Sequence, residues 1–459
     1  MSIQVDYLII GSGAMGMAFA DVLMNESEAT IAIVDRHDRP GGHWNDAYPF
    51  VRLHQPSAFY GVNSRNLGND TVDQVGWNKG LFELASGTEV IAYFDQVMRE
   101  QFLPSARVHY FPNTEHSGEG RLNSLVTGEA IEVEAKKIVD ATYMNVTVPS
   151  IKKPDYAIAA GVRCVPVNEL PKVAAPEMDY VVVGAGKTGM DAVLWLLKNN
   201  VHPTSISWVM PRDSWMLDRA NIQPGVLAGR AASVFAEQLK IAAQSKSLED
   251  LFEKVDASGQ LLRLTDEIEP TMYRCATVTS DELDQLKRIE NVIRMGRVQE
   301  LTPGLIKLDQ GEVSVDEKNT VFIDCSADGL ERRPLCNVFN DGKITLQSVR
   351  TCQQVFSAAF IAHIEVAFND VEEKNKLCTP VPHPDNHIDF LRTTLANAIN
   401  GAVWNAVPEL QKWLAESRLD GFSVAGGEAP KPDPEMMTVA VAAIEKLTAY
   451  IKDAEAAGL

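Results

Sequence analysis

Two stretches of the chain repeat one pattern. VDYLIIGSGAMGMAFADVL (5–23) and MDYVVVGAGKTGMDAVLWLL (178–197) each run from a β-branched apolar stretch, through a glycine turn, into apolar positions at helical spacing. A second short apolar run follows each, at 30–34 and 205–210. Far along the chain, each closes on an apolar strand that ends in a small-residue turn, KKIVDATYM (136–144) and TVFIDCSADGL (320–330). Strands alternating with helical segments in this way predict parallel sheets of the doubly wound type.

The inserted segments run in parallel too. The first unit predicts a helix over 88–102, a strand over 107–111 and a hairpin over 122–135; the second predicts a helix over 281–289, a strand over 291–295 and a hairpin over 298–315. Beyond 330, the run 344–368 reads as a strand and then a helix, and 380–387 as a turn rich in proline and histidine. Helices follow over 388–404 and 434–451, joined by a Gly/Pro/acid-rich connector over 421–434. The expected fold is α/β, with two Rossmann-like (GxGxxG) dinucleotide-binding domains, the first interrupted by the second. Residues 1–150 plus 331–400 form one domain and 151–330 the other, and 401–459 is a helical extension packed on the first.

The turns carry the chemistry. Gly11, Gly13 and Gly16 sit directly between strand and helix, where they permit a tight turn, close approach of the main chain to a pyrophosphate, and close helix–strand packing. Asp35 ends the next strand, placed to accept hydrogen bonds from the hydroxyls of an adenosine ribose. Just beyond lies GGHWNDAYPFVR (41–52). Paired glycines let main chain run against a ligand, and Trp44 can lie on an extended aromatic ring. In the second unit Gly184, Gly186, Lys187, Thr188 and Gly189 repeat the motif, but no acid directly follows the second strand. Arg212 stands there instead, able to engage a ribose 2′-phosphate that a carboxylate would repel, although Asp213 comes next.

Taken in order, GxGxxG, an acidic ribose ligand and G-G-x-W resemble the start of the flavin-containing and Baeyer–Villiger monooxygenases, and 41–52 is most similar to the Baeyer–Villiger form. The resemblance implies FAD at Gly11, Gly13, Gly16, Asp35, Gly42, His43, Trp44 and Arg52. It implies NADPH, with NADH less favoured, at Gly184, Gly186, Lys187, Thr188, Gly189 and Arg212. A C4a-(hydro)peroxyflavin would then oxygenate a small organic substrate with O2. His54 and Gln55, after Arg52, are the candidate donors to that peroxide or to substrate. The relatives' F-x-G-x-x-x-H-x-x-x-W-like signature corresponds here to 157–171, with Gly161 present, Val165 in the histidine's place and no tryptophan. A flavin-dependent dehydrogenase or reductase without oxygen insertion, or an NADP(H)-sensing flavoprotein, therefore stays open beside the monooxygenase.

Composition narrows the partners. The 459 residues suit two or three domains, and with 45% hydrophobic and 23% charged residues they resemble an ordinary globular enzyme. Lys and Arg total 42 against 62 Asp and Glu, a net charge of -20 that disfavours nucleic acid and anionic membrane surfaces. No run approaches the roughly 18 apolar residues of a membrane span, and residues 1–10 do not read as a cleavable leader, so a cytoplasmic protein is expected. The six cysteines contain no C-x-x-C pair and read as buried free thiols, which disfavours a route through a protein disulfide. His363 and Glu365 read equally as core polar groups or a catalytic base. His383 and His387 flank prolines and lack the helical face a metal pair needs, so no metal is expected.

Overall fold

A computed structural model of the chain describes residues 2–421 and 434–459. The connector expected over 421–434 lies almost wholly outside the described residues. In the first unit β1 (Ser2–Ile10) leads through the glycine turn into α1 (Ala14–Glu26) and β2 (Ile31–Val34). Next come α2 (Gly87–Val97), β3 (Val108–Phe111), β4 (Thr114–His116), β5 (Arg121–Ser124) and the long β6 (Ala130–Asp140). The second unit begins with β7 (Ala157–Ile158), β8 (Cys164–Pro166), the one-turn α3 (Leu170–Val173), β9 (Asp179–Val183), α4 (Lys187–Lys198) and β10 (Ile206–Val209). It continues with β11 (Ser214–Asp218), α5 (Gly229–Gln244), α6 (Leu248–Ala257), β12 (Leu261–Leu262), β13 (Met272–Val278), α7 (Ser280–Leu286) and β14 (Val292–Ile293). It ends with β15 (Val298–Thr302), β16 (Leu305–Leu308), β17 (Gly311–Ser314) and β18 (Thr320–Asp324). The chain then returns through β19 (Phe339–Asn340), β20 (Lys343–Thr345), α8 (Gln354–Ala367), α9 (Val371–Leu377), α10 (Ile388–Asn405), α11 (Pro408–Glu416) and α12 (Pro434–Ala456).

Strands β20, β6, β1, β2 and β3 are neighbours in that order and all parallel, with β19 antiparallel on the outer edge. The second arm of the expected hairpin and the closing strand of the first unit are one element, β6. β6 pairs antiparallel with β5 at its start, and it pairs with β1 from Ser2↔Glu132 to Ile10↔Asp140, because β1 is itself long enough to hold a partner along that whole length. The second sheet, β14-β10-β9-β18-β8, is wholly parallel. The 298–315 segment makes three strands rather than two, β15 to β17, with β7 on its edge.

Helices α1 and α8 pack on each other in the core of the first unit and are buried on nearly every side, as their largely apolar sequences require. The tail divides between the units. α11 adds Leu410, Trp413 and Leu414 to the first core, and the following Arg418 donates to the carbonyls of Ala58 (2.6 Å) and Tyr60 (2.8 Å). α12 instead lies on α5 and α10, its Ala443 and Leu447 packed among Trp215, Leu239, Phe252 and Phe390. No helix among the described residues is long and apolar enough to cross a membrane.

Candidate functional site

The first glycine turn and the G-G-x-W turn touch. α1 starts behind Gly13 with no side-chain cap and no acid in its first turn, so its free N–H groups face the carboxyl edge of the sheet. Gly42 has a φ of +56°, and a Cβ there would come within 2.8 Å of the Gly13 Cα. The Gly41 amide donates to the Ser12 carbonyl at 2.9 Å. The result is a main-chain cradle that side chains would fill. Trp44 is a core residue: its indole N–H donates to the Tyr60 hydroxyl at 2.7 Å and its ring packs edge-on to Tyr60. His43 stacks on it and stays half-buried, with burial pulling its imidazole down to about 4.

Both oxygens of Asp35 are engaged. Oδ2 accepts from the Ser12 amide (2.6 Å) and hydroxyl (2.9 Å), and Oδ1 accepts from the His37 amide (2.9 Å) and meets its ring (2.8 Å). Burial works to raise this carboxyl, but the bonds from His37 and Ser12 outweigh it and hold it below the ordinary carboxylate value. The other nitrogen of His37 meets Asp46 at 2.9 Å, so one imidazole bridges the end of β2 to the G-G-x-W turn. The bond to Asp35 raises His37 to about 9 against the opposing effect of burial, and Asp46 adds to the rise. The sign follows from a folded pKa above the unfolded one. The stabilisation is full below about 6.5 and is lost as pH rises through about 9. Thermal midpoints of the native chain and His37→Gln should therefore differ most near pH 6 and converge above about pH 9. A constant gap across that range would exclude the charged bridge.

Residues 48–54 of the first unit lie along α4 of the second. The Tyr48 hydroxyl donates to Asp191 at 2.6 Å beside Thr188, and Phe50 stacks on Trp195 with centroids 5.3 Å apart. Lys187 is held by Asp191 and reaches the Arg52 carbonyl at 3.5 Å, so its ammonium serves this seam. The Arg52 guanidinium turns the other way, donating to the Leu84 carbonyl at 2.8 Å. His54 lies in the seam with Gln55 half-buried beside it, and its Nδ1 is buried without a hydrogen-bond partner. Burial, aided by the charges of Lys187 and Arg219, drops the His54 imidazole to about 3, so it is neutral at physiological pH. Arg219, which sequence reasoning missed, is buried here and donates to the carbonyls of His54 (3.0 Å) and Thr277 (3.2 Å), with Glu282 as its counter-charge at 2.9 Å.

The second glycine turn repeats the first. α4 starts behind Gly186 without a side-chain cap, and a Cβ on Gly186 would meet open space, which leaves room for a ligand against the main chain. The Gly184 carbonyl accepts from the Trp208 indole at 2.8 Å. Asp213 is buried and paired in two parallel bonds with Arg294, at 2.8 and 2.9 Å. Arg212 is paired with Asp385 at 2.9 Å, and Arg274 and Arg332 converge on the same carboxylate oxygen. Pairings this far apart in sequence have no local signal.

The reading of the cysteines as free thiols is corrected. Cys275 and Cys352, 77 residues apart, form a disulfide with Cα atoms 6.5 Å apart, while Cys164, Cys325, Cys336 and Cys378 are free. Glu365 is structural: it accepts from Tyr7 (2.8 Å) and Lys374 (2.8 Å) and is joined by Lys137. His363 pairs with Glu26 at 2.6 Å and stacks on Trp413. Neither is near the glycine turns.

Residues 9–63 match the family model of an NAD(P)-binding Rossmann-like domain. Among solved structures, the chain is similar to a flavin-containing monooxygenase from Stenotrophomonas maltophilia (15% identity, 79% of this chain and 97% of that one, TM-score 0.44). It is also similar to a cyclohexanone monooxygenase in an open form (13%, 97% and 98%, TM-score 0.47). Likeness of this size leaves the chemistry to be argued from the residues themselves. Proteins of Mycobacterium tuberculosis and Mycobacterium bovis that carry only the name "uncharacterized protein" are far nearer, 51% identical over 420 residues, or 91% of this chain and 78% of theirs. At that identity and coverage, the chain belongs to the same family as these mycobacterial proteins.

Proposed function

We propose that the chain is a flavin-dependent NAD(P)H oxidoreductase of the monooxygenase type. In this reading FAD takes the cradle of Gly11, Gly13, Gly16, Gly42 and His43, with its adenosine end near Asp35. NADPH, in preference to NADH, takes the turn of Gly184, Gly186, Thr188 and Gly189. A small organic substrate and O2 meet in the seam between them. One observation carries the reading: the 41–54 segment, in contact with Gly13 at one end and with Asp191 and Lys187 along its length, joins two uncapped helix N-termini and brings a neutral His54 with an unsatisfied Nδ1 into their seam. The domains follow the same logic, 1–150 with 331–400 around FAD and 151–330 around the nicotinamide.

Bound FAD supplies the redox chemistry, and the protein supplies position and dryness. Free N–H groups behind Gly13 and Gly186 would hold the pyrophosphates. Tyr48, Asp191 and Lys187 fix the seam, and Arg219 locks the His54 main chain. His54 Nδ1 then offers one hydrogen bond to whatever polar atom enters the seam, and its low basicity keeps it from adding charge there.

The test is rapid mixing. Holoenzyme reduced anaerobically with NADPH is mixed with oxygenated buffer, and flavin absorbance is followed. An absorbance transient that precedes the return of oxidised flavin is expected, shortened at least about tenfold in His54→Ala, the loss that one hydrogen bond in a dry site would give. Direct return to oxidised flavin would favour the second reading, a flavin-dependent reductase or dehydrogenase. The Cys275–Cys352 disulfide, a bond that could take up two electrons, favours that second reading.

A further inference from the structure

The disulfide ties a loop of the first unit to the small sheet of the second, and Cys275 is buried. β20 runs parallel to β6 and β1, so the chain that leaves it towards α8 emerges at the same carboxyl edge as the Gly11–Gly16 turn. Cys352 sits in that loop, two residues before α8 begins at Gln354. In the second unit the chain passes from the carboxyl end of β10 almost directly into β11, so the sheet of β12, β11 and β13 lies beyond that edge. Cys275 is in β13. Ligands of open parallel sheets bind at these carboxyl ends.

The backbone around both sulfurs is irregular. Between Trp215↔Tyr273 and Leu217↔Thr277 the register of β13 against β11 slips, and Cys275 sits within the slip at φ +55°. Cys352 has φ +58°. Both are left-handed, a conformation that L side chains rarely adopt, and bulges of this kind re-aim side chains beside active sites. The Tyr273 hydroxyl lies 3.7 Å from the Cys275 sulfur, in reach of a weak hydrogen bond to it.

We infer that Cys275 and Cys352 form a second redox centre, reduced by the flavin. The inference rests on the proposed reading that this chain holds FAD and takes hydride from a nicotinamide. The S–S bond accepts two electrons and breaks. Reduced flavin (FADH−) returns to oxidised flavin, giving up the electron pair and one proton, solvent supplies a second proton, and two thiols result. NADPH is the ultimate reductant.

The experiment is an anaerobic titration of the holoenzyme with NADPH, followed by unfolding in denaturant with iodoacetamide and peptide mass mapping. About four electrons per flavin should be taken up, with Cys275 and Cys352 alkylated along with the four cysteines that are free at the outset. In Cys352→Ser the uptake should fall to about two. Flavin that bleaches with about two electrons while the pair stays protected overturns the inference and leaves the proposed function standing. A value of four in Cys352→Ser overturns it as well. A chain that binds no flavin, or flavin that neither NADPH nor NADH bleaches, overturns both.

Discussion

Gly16→Ala is expected to yield a chain that loses its flavin and is destabilised by about 3 kcal/mol. Gly16 is in the first turn of α1, and a Cβ there would collide with the Gly11 carbonyl oxygen. That oxygen cannot retreat. The Gly11 amide is bonded to the Val34 carbonyl at 2.8 Å, and the same added Cβ would stand 3.3 Å from the Ala141 methyl. α1 must therefore lift off β1, which opens the contact between Gly13 and Gly42 that shapes the cradle and disturbs the packing of α1 on α8. Gly186→Ala is the control, since a Cβ there meets open space. It should keep the native midpoint while weakening nicotinamide binding. The measurements are flavin absorbance per protein and the urea midpoint. A Gly16→Ala protein that purifies yellow with an unchanged midpoint would falsify the close-packing argument.

That prediction could be written from sequence because the glycine turns are local. A tight strand-to-helix turn with the helix pressed on the strand leaves no room for a side chain at Gly16 or Gly189, whatever else the fold does. Helices α1 and α8 were legible for a similar reason: an apolar run with no polar face has nowhere to go but a core. His37 was within reach, since a histidine two residues after the Asp35 carboxylate is close enough to bond it, and it was missed because the motif names only Asp35. The rest depended on distant parts of the chain. Nothing near Cys275 announces Cys352, and the bulge in β13 that aims it is a property of pairing with β11. The Arg212–Asp385 pair is of the same kind, brought together by the 385–387 segment that runs along the start of β13.

The last expectation turns on that pair. Asp385 Oδ1 accepts from Arg212 (2.9 Å), from Arg274 (2.8 and 2.5 Å) and from Arg332 (3.0 Å), and Arg274 and Arg332 also pair with Asp328. Burial works to raise Asp385, but the bonds from Arg212 and Arg274 prevail and hold it at about 2. Three guanidiniums against two carboxylates leave an excess positive charge, and Asp385 stands where an oxyanion would. If Arg212 reads a 2′-phosphate, that phosphate competes with this carboxylate. Arg212→Ala should then lower kcat/KM for NADPH about tenfold to a hundredfold, the worth of one or two charge-assisted bonds, with little change for NADH. Asp385→Asn should move the ratio the other way, because it removes the competing charge, and it should lower the thermal midpoint, because Arg274 and Arg332 lose part of their counter-charge. The NADPH-to-NADH ratio of kcat/KM is the right readout, since misfolded protein cancels from it. A ratio that neither substitution moves would make Arg212 a strut between β10 and the 385–387 segment, and would place the discrimination between the two nicotinamide cofactors elsewhere in the turn.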